Sequence, residues 1–320
     1  MLIGSYTPSL VLISIFVAIL ASYTALDLAG RIVTAKGRAV YLWMGGGALA
    51  MGIGVWSMHF IGMLAFHLPV ELGYDLPITL LSLALGILSC GFALWLVSQP
   101  QLPALQLSFG ALVMGAGISA MHYCGMAALR MQPGIEYAPS LFVGSLVIAV
   151  SASAAALWIT FRLRRQTPYV RLARGGAAVF MGMAIVGMHY TGMAAAGFAD
   201  GSFCGAVGSG LRVDGLDTLV LVTSLAVLTI ALLTSILDAR MEDRTAELSN
   251  SLSVANRELT QLALHDTLTG LPNRVLLADR IEHAMGKVDE HGGCFALMFM
   301  DLDGFKPVND AFGHHMGDLL

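Results

Sequence analysis

The sequence predicts an all-α polytopic membrane domain of seven transmembrane helices, built as three two-helix repeats plus one, followed by a helical connector and an incomplete α/β segment. Three observations carry this. Of 320 residues, 57% are hydrophobic and 12% charged, whereas about a quarter of a soluble domain is charged. The charges are placed unevenly, with 17 Asp, Glu, Lys and Arg in residues 1–235 and 21 in the remaining 85. Seven stretches also reach the roughly 20 apolar residues that a helix, with its backbone bonded internally, needs to cross about 30 Å of hydrocarbon.

The stretches are expected near 9–29, 41–65, 77–98, 106–129, 139–161, 175–197 and 216–237. Pro69, Pro77, Pro100, Pro103, Pro133, Pro139 and Pro168 lie in the breaks, where helices stop. No basic residue precedes the first stretch, so it reads as a retained helix and not as a secretory signal. The loops after the first and fifth helices carry Arg31, Lys36 and Arg38, then Arg162, Arg164, Arg165, Arg171 and Arg174. An excess of Lys and Arg marks the cytoplasmic side. The loops after the second, fourth and sixth helices are mainly acidic, so the N-terminus is expected outside and residues after about 238 in the cytoplasm of a bacterial inner-membrane protein.

The even-numbered helices repeat one pattern: MGIGVWSMHFIGMLAF (51–66), MGAGISAMHYCGMAAL (114–129) and MGMAIVGMHYTGMAAA (181–196). Residues four apart share a helix face, which pairs His59 with Met63, His122 with Met126 and His189 with Met193. Met58, Met121 and Met188 precede the histidines, and Met51, Met114 and Met181 lie seven residues before those. Gly62, Gly125 and Gly192 are expected to let neighbouring helices approach closely. All three motifs occupy the last half of helices running the same way, so the histidines should meet at one depth near the outer surface.

Imidazole nitrogens and thioether sulfurs suit copper, Cu(I) above all, better than magnesium or calcium. A packing role for Met and a cross-helix hydrogen bond for His are the alternative. The repetition favours a shared site, because nine of the thirteen methionines before residue 238 and three of the four histidines there occupy repeat positions. Cys124 could add a thiolate in one copy only. The four cysteines show no C-x-x-C spacing, so neither a disulfide framework nor a zinc knuckle is indicated. A formal charge of −4 supplies no basic face, so no nucleic-acid partner is expected.

The motifs S-M-H-F-I-G-M, A-M-H-Y-C-G-M and G-M-H-Y-T-G-M resemble the three signatures of the MHYT family of bacterial sensor domains. The first copy departs at Phe60 and Ile61, which loosens polar contacts there. The resemblance implies a membrane sensor that binds copper and, through it, a diatomic gas.

Leu248, Leu252, Ala255, Leu259 and Leu262 then recur at spacings of four and three, the seam of a coiled coil that would pair two copies. A single amphipathic helix on the inner membrane face is the alternative. Next come LALHDTLTGLPNR (262–274) and CFALMFMDLDGFKPVNDAFGHHMGDLL (294–320). FALMFM reads as a short buried strand ending in Asp301 and Asp303, a usual place to hold Mg²⁺ on nucleotide phosphates.

These segments resemble the start of a GGDEF diguanylate cyclase domain. By that resemblance Asp301 would hold Mg²⁺, Lys306 would contact phosphate, Asn309 and Asp318 would recognise guanine, and Asp266, Gly270 and Arg274 would be structural. The glycine-glycine-acidic hairpin that names the family does not occur in these 320 residues. Half the metal clamp for phosphoryl transfer is then missing. The polypeptide as written is expected to be inactive, with Mg²⁺ and GTP as ligands only of a complete domain, and 263–320 is too short to bury a full core.

The expected organisation is thus a membrane sensor over 1–237, a connector over 238–262 and a truncated output domain over 263–320. Two other readings are a small-solute or copper transporter, which would need ionisable groups beyond Asp27 along its interior, and a partner protein with no ligand.

Overall fold

The computed structural model describes residues 1–2, 4–165, 169–207 and 211–320, with several side chains between 211 and 242 outside the description. Pro168 therefore lies outside the described residues. The chain divides into two units, Met1–Ser235 and Ile236–Leu320.

In the first unit the helices are α1 (Pro8–Thr34), α2 (Arg38–Ala65), α3 (Leu76–Ser98), α4 (Ala104–Ala127), α5 (Pro139–Leu163) and α6 (Val170–Ala195). Among the described residues these six are long and apolar enough to cross a membrane. Proline opens α1, α3 and α5, where its missing N–H and fixed φ cost nothing. Asp75 caps α3 by accepting the Ile78 N–H at 3.2 Å. The seventh expected stretch begins a much longer helix, α7 (Val213–Leu264), 52 residues that run without a break through the expected connector.

Each of the six helices packs on its sequence neighbours, and α6 packs back on α1, so they close a ring. Close approach sets the seams. A Cβ on Gly52 would stand 2.5 Å from Ile87 Cα, one on Gly115 2.8 Å from Val150 Cα, and one on Gly182 2.8 Å from Ile19 Cα. Each glycine of an even helix thus meets the backbone of the odd helix after it, which gives the ring approximate threefold symmetry. Helix α7 touches α2 outside the ring, with Ser57 Oγ 3.3 Å from Thr223 Oγ1.

Short strand pairs, which the sequence reading did not anticipate, tie the loops where the even helices end. They are β1 (Ser5–Tyr6) with β2 (Phe66–His67), β3 (Gly73–Tyr74) with β8 (Leu211–Arg212), β4 (Met131–Gln132) with β7 (Phe203–Cys204), and β5 (Glu136–Tyr137) with β6 (Ala196–Gly197), all antiparallel. Three equivalent backbone bonds repeat the symmetry: Thr7 N–H to Ala65, Asp75 N–H to Ala128 and Ala138 N–H to Ala195, at 2.8–2.9 Å. They satisfy carbonyls that a helix C-terminus leaves open.

At the opposite end Asp27 accepts Arg31 Nε at 2.8 Å and Arg174 Nη1 at 3.2 Å. Arg174 is only 3% exposed, so the carboxylate supplies the charge partner that a buried guanidinium requires.

The second unit holds the rest of α7, then α8 (Arg274–His291), α9 (Phe305–Phe312) and α10 (His314–Leu319). Asp266 Oδ1 accepts the Leu268 and Thr269 N–H groups and the Thr269 hydroxyl. These bonds favour the ionised form and hold its pKa below the usual carboxylate value. Gly270 turns at φ +69°, and Asn273 caps α8 through the Val275 and Leu276 N–H groups. Asp266 and Gly270 are therefore turn formers.

The strand expected at FALMFM is not formed. Residues 295–300 form no regular element and are exposed, with Phe299 at 85%. A strand needs a lateral partner for its backbone groups, and the described residues of 263–320 offer none.

Candidate metal centre and the cavity beneath it

His59, His122 and His189 each lie within two turns of the end of α2, α4 or α6, and the ring brings them together. Their Nδ1 atoms form a triangle with edges of 3.0 Å (His59–His122), 3.1 Å (His59–His189) and 3.3 Å (His122–His189). Each residue is 1% exposed, and among the described residues no carboxylate or thiol joins the cluster.

A neutral imidazole nitrogen either carries a proton and donates or carries a lone pair and accepts. Of three facing nitrogens two must therefore be alike, so the protein alone cannot pair the whole triangle. A cation taking three lone pairs removes that conflict. Metal–nitrogen bonds of roughly 2.0–2.1 Å in a flat trigonal site place the nitrogens about 3.5 Å apart, a few tenths of an ångström beyond those seen. The residues fit a metal ion.

What orients the rings is packing. Each Nε2 is buried without a hydrogen-bond partner and rests on the motif glycine of another copy. A Cβ on Gly125 would stand 2.2 Å from His59 Nε2, one on Gly192 2.4 Å from His122 Nε2, and one on Gly62 2.2 Å from His189 Nε2. The glycine in H-x-x-G is thus the seat of a histidine from another helix, a more specific role than the helix contact expected.

The residue after each histidine sets its ring edge-on against it, with centroids 4.8–4.9 Å apart for Phe60, Tyr123 and Tyr190. Tyr123 bonds Ser145 at 2.5 Å, and Tyr190 bonds Ser14 at 3.0 Å. The third equivalent serine, Ser82, faces no tyrosine because copy one has Phe60. It donates instead to the Met121 carbonyl at 2.8 Å. Sequence reading missed these serines, whose only signal is a shared position early in the odd helices.

One turn from the triangle, toward the arginine-bearing end, lies a cavity of about 60 Å³ inside the ring. Its lining repeats the symmetry in Met51, Met114 and Met181, in Val55, Ile118 and Ile185, and in Ser22, Cys90 and Ser153. A water requires roughly 10–15 Å³, so the space has room for a small molecule of roughly four to six non-hydrogen atoms, a diatomic included.

Three segments of the chain, 52–110, 115–173 and 182–245, match the family described as a bacterial signalling protein N-terminal repeat, MHYT. The chain belongs to the MHYT family. Residues 263–320 match the diguanylate cyclase GGDEF domain. The chain is 62% identical over its whole length to the bifunctional diguanylate cyclase/cyclic di-GMP phosphodiesterase MucR of Pseudomonas aeruginosa, covering 47% of that protein. It is 38% identical over 99% of its length to the cyclic di-GMP phosphodiesterase NbdA of the same organism, covering 41% of it. Over 57% of its length it is 34% identical to the signalling protein YkoW of Bacillus subtilis, 23% of which is covered. The chain thus spans about half the length, or less, of these relatives. No solved structure matches it.

In the MHYT domain the six methionines of the motif are buried: Met58, Met63, Met121, Met126, Met188 and Met193 are all 3% exposed or less. Met188 also lines the cavity. Cys124 is not part of the centre, since its thiol points to the Ile78 carbonyl of α3 at 3.6 Å. In the GGDEF segment Asp301, Lys306 and Asp318 are exposed. Asn309 lies against Gly317, beside Asp318, and its buried Oδ1 has no partner.

Proposed function

We propose that this multi-pass membrane sensor holds one copper ion on Nδ1 of His59, His122 and His189, and that a small apolar molecule, a dissolved diatomic gas, reaches it from the cavity below. The observation that carries the reading is the nitrogen triangle, which the protein by itself cannot satisfy. Copper there would supply a soft, open coordination position for the gas. The chain's own residues do the rest. Gly62, Gly125 and Gly192 seat the rings, Tyr123 and Tyr190 hold them edge-on, and the motif methionines shut out water with polarizable walls.

Any movement of His189 is felt by Tyr190 and hence by Ser14 on α1. At the far end of α1, Arg31 donates to the Thr234 carbonyl of α7 at 2.9 Å. Helix α7 then continues toward the GGDEF segment. Its seam residues Leu248, Leu252, Leu259 and Leu262 are 63–72% exposed, which supports pairing with a second copy. The whole protein would thereby set the turnover of GTP to cyclic di-GMP on Mg²⁺, using Asp301, Lys306, Asn309 and Asp318, with the N-terminus outside and the output in the cytoplasm. Transport is disfavoured, because Asp27 is held by two arginines and the cavity walls are mainly apolar and carry no ionised group.

The test is Cu(I) titration of the detergent-purified chain beside a variant lacking all three histidines. The expected result is near-stoichiometric copper in the first and none in the second, with equal helical circular dichroism. Equal copper in both would remove the site, and none in either would leave the histidines as packing groups.

A further inference from the structure

The geometry points to a binding site for an anionic phospholipid at the arginine-bearing end of the ring, formed by the end of α5 and the turn between α3 and α4. Three guanidiniums, those of Arg162, Arg164 and Arg165, fall within four residues and line a cleft of about 490 Å³. No acidic side chain lines it, and among the described residues none of the three forms an ion pair.

Arg164 is the scaffold. It is 4% exposed, lies over the Phe161 ring at 3.9 Å, and donates to the carbonyls of Val97, Gln99 and Pro100. It thereby fastens the end of α5 to the α3–α4 turn. Arg162, stacked 5.6 Å over Trp158, and Arg165 are exposed. Their charge is uncompensated.

A second cleft, of about 650 Å³, shares Pro100, Gln101 and Pro103 with the first and runs along the outer face of α3 and α4 between Trp95 and Phe109. Those two side chains are 48% and 64% exposed. Trp95 and Trp158 occupy the same level of their helices, where tryptophan marks the membrane–water boundary. Along one continuous groove the molecule thus presents cations, then the amides of Gln101 and Gln106, then aromatic walls. A phospholipid presents phosphate, esters and acyl chain in the same order. Because the cations have no counter-charge, a lipid with net negative charge is selected over a zwitterionic one.

The test uses the full chain in nanodiscs of phosphatidylcholine containing a minor fraction of phosphatidylglycerol, with retained lipid counted by native mass spectrometry. Wild type should keep phosphatidylglycerol in preference to phosphatidylcholine, and R162Q and R165Q should each weaken retention roughly fivefold. Phe109→Ser, which removes an aromatic wall and no charge, should also loosen the lipid. Both arginines are exposed, so the double variant should fold and bind Cu(I) as wild type does. Equal retention in wild type and R162Q/R165Q would overturn the site. Complete displacement by millimolar inorganic phosphate would replace it with a simple anion site and overturn the phospholipid assignment.

Discussion

His59 of α2 rests its Nε2 on Gly125 of α4, where a Cβ would come within 2.2 Å of that nitrogen. The contact makes a backbone position of one repeat the gauge of another repeat's side chain.

Gly125→Ala should therefore turn the His59 ring off the triangle. Alanine favours a helix over glycine by about 1 kcal/mol, yet overpacking costs about 1–3 kcal/mol. The expected outcome is a small loss of thermal stability and a large loss of Cu(I) stoichiometry. Gly45→Ala, at a position with open space around it, is the control and should keep both. Full copper binding by Gly125→Ala would show that the glycine does not position the ring.

Exchanging the aromatic type at either position should destabilise, for different reasons. Tyr123→Phe removes the bond to Ser145, which retains its own bond to the Phe142 carbonyl, so a loss of about 1 kcal/mol is expected. Phe60→Tyr puts a hydroxyl into a fully buried pocket whose serine is already committed to Met121, costing about 1–3 kcal/mol. Thermal melts in one detergent compare them. A stabilising Phe60→Tyr would show that Ser82 turns to meet the new hydroxyl.

Asp27→Asn should weaken the arginine-bearing end by about 2–3 kcal/mol, because it leaves Arg174 buried beside no charge. A double-mutant cycle with Arg174→Met measures the coupling. Strict additivity of the two losses would mean that the pair contributes nothing beyond its separate parts.

The turn at Asp266 should depend on pH. Its carboxyl pKa is lowered in the fold by the Thr269 and Leu268 bonds, so its contribution is present above the usual carboxylate value. That contribution is lost as pH falls through the lowered value. Protection of the Leu268 and Thr269 amides, taken relative to their intrinsic exchange rates, should fall on acidification below about pH 4, and Asp266→Ala should show the same loss of protection at neutral pH. Slow exchange in the alanine variant would assign the order to Asn273 and Gly270 instead.

Helix spacing and hydropathy made the membrane helices legible, since crossing lipid leaves the backbone no choice but to bond internally. The ends of α2 at Ala65 and α3 at Ser98 are the residues expected, whereas α1 runs on to Thr34, α6 begins as early as Val170, and α7 overruns its expected bounds furthest. The three histidines were legible because one motif occurs three times. The long-range partners were not. That the triangle uses Nδ1, that H-x-x-G seats another helix's ring, that Ser14 and Ser145 anchor tyrosines, and that Met51, Met114 and Met181 encircle a cavity all follow from closing α6 onto α1. The strand expected at residues 295–300 fails for the same reason in reverse: its local pattern is correct, but pairing depends on a neighbour.

The sequence by itself placed the six membrane helices of the ring and showed which side chains recur, because periodicity and burial in lipid are local properties of the chain; the seventh stretch it expected is the start of the longer α7. Only the tertiary structure decided which recurring groups face one another. Residues 63 and 130 positions apart meet through packing of helix surfaces, and nothing along the chain encodes that angle except the ring as a whole.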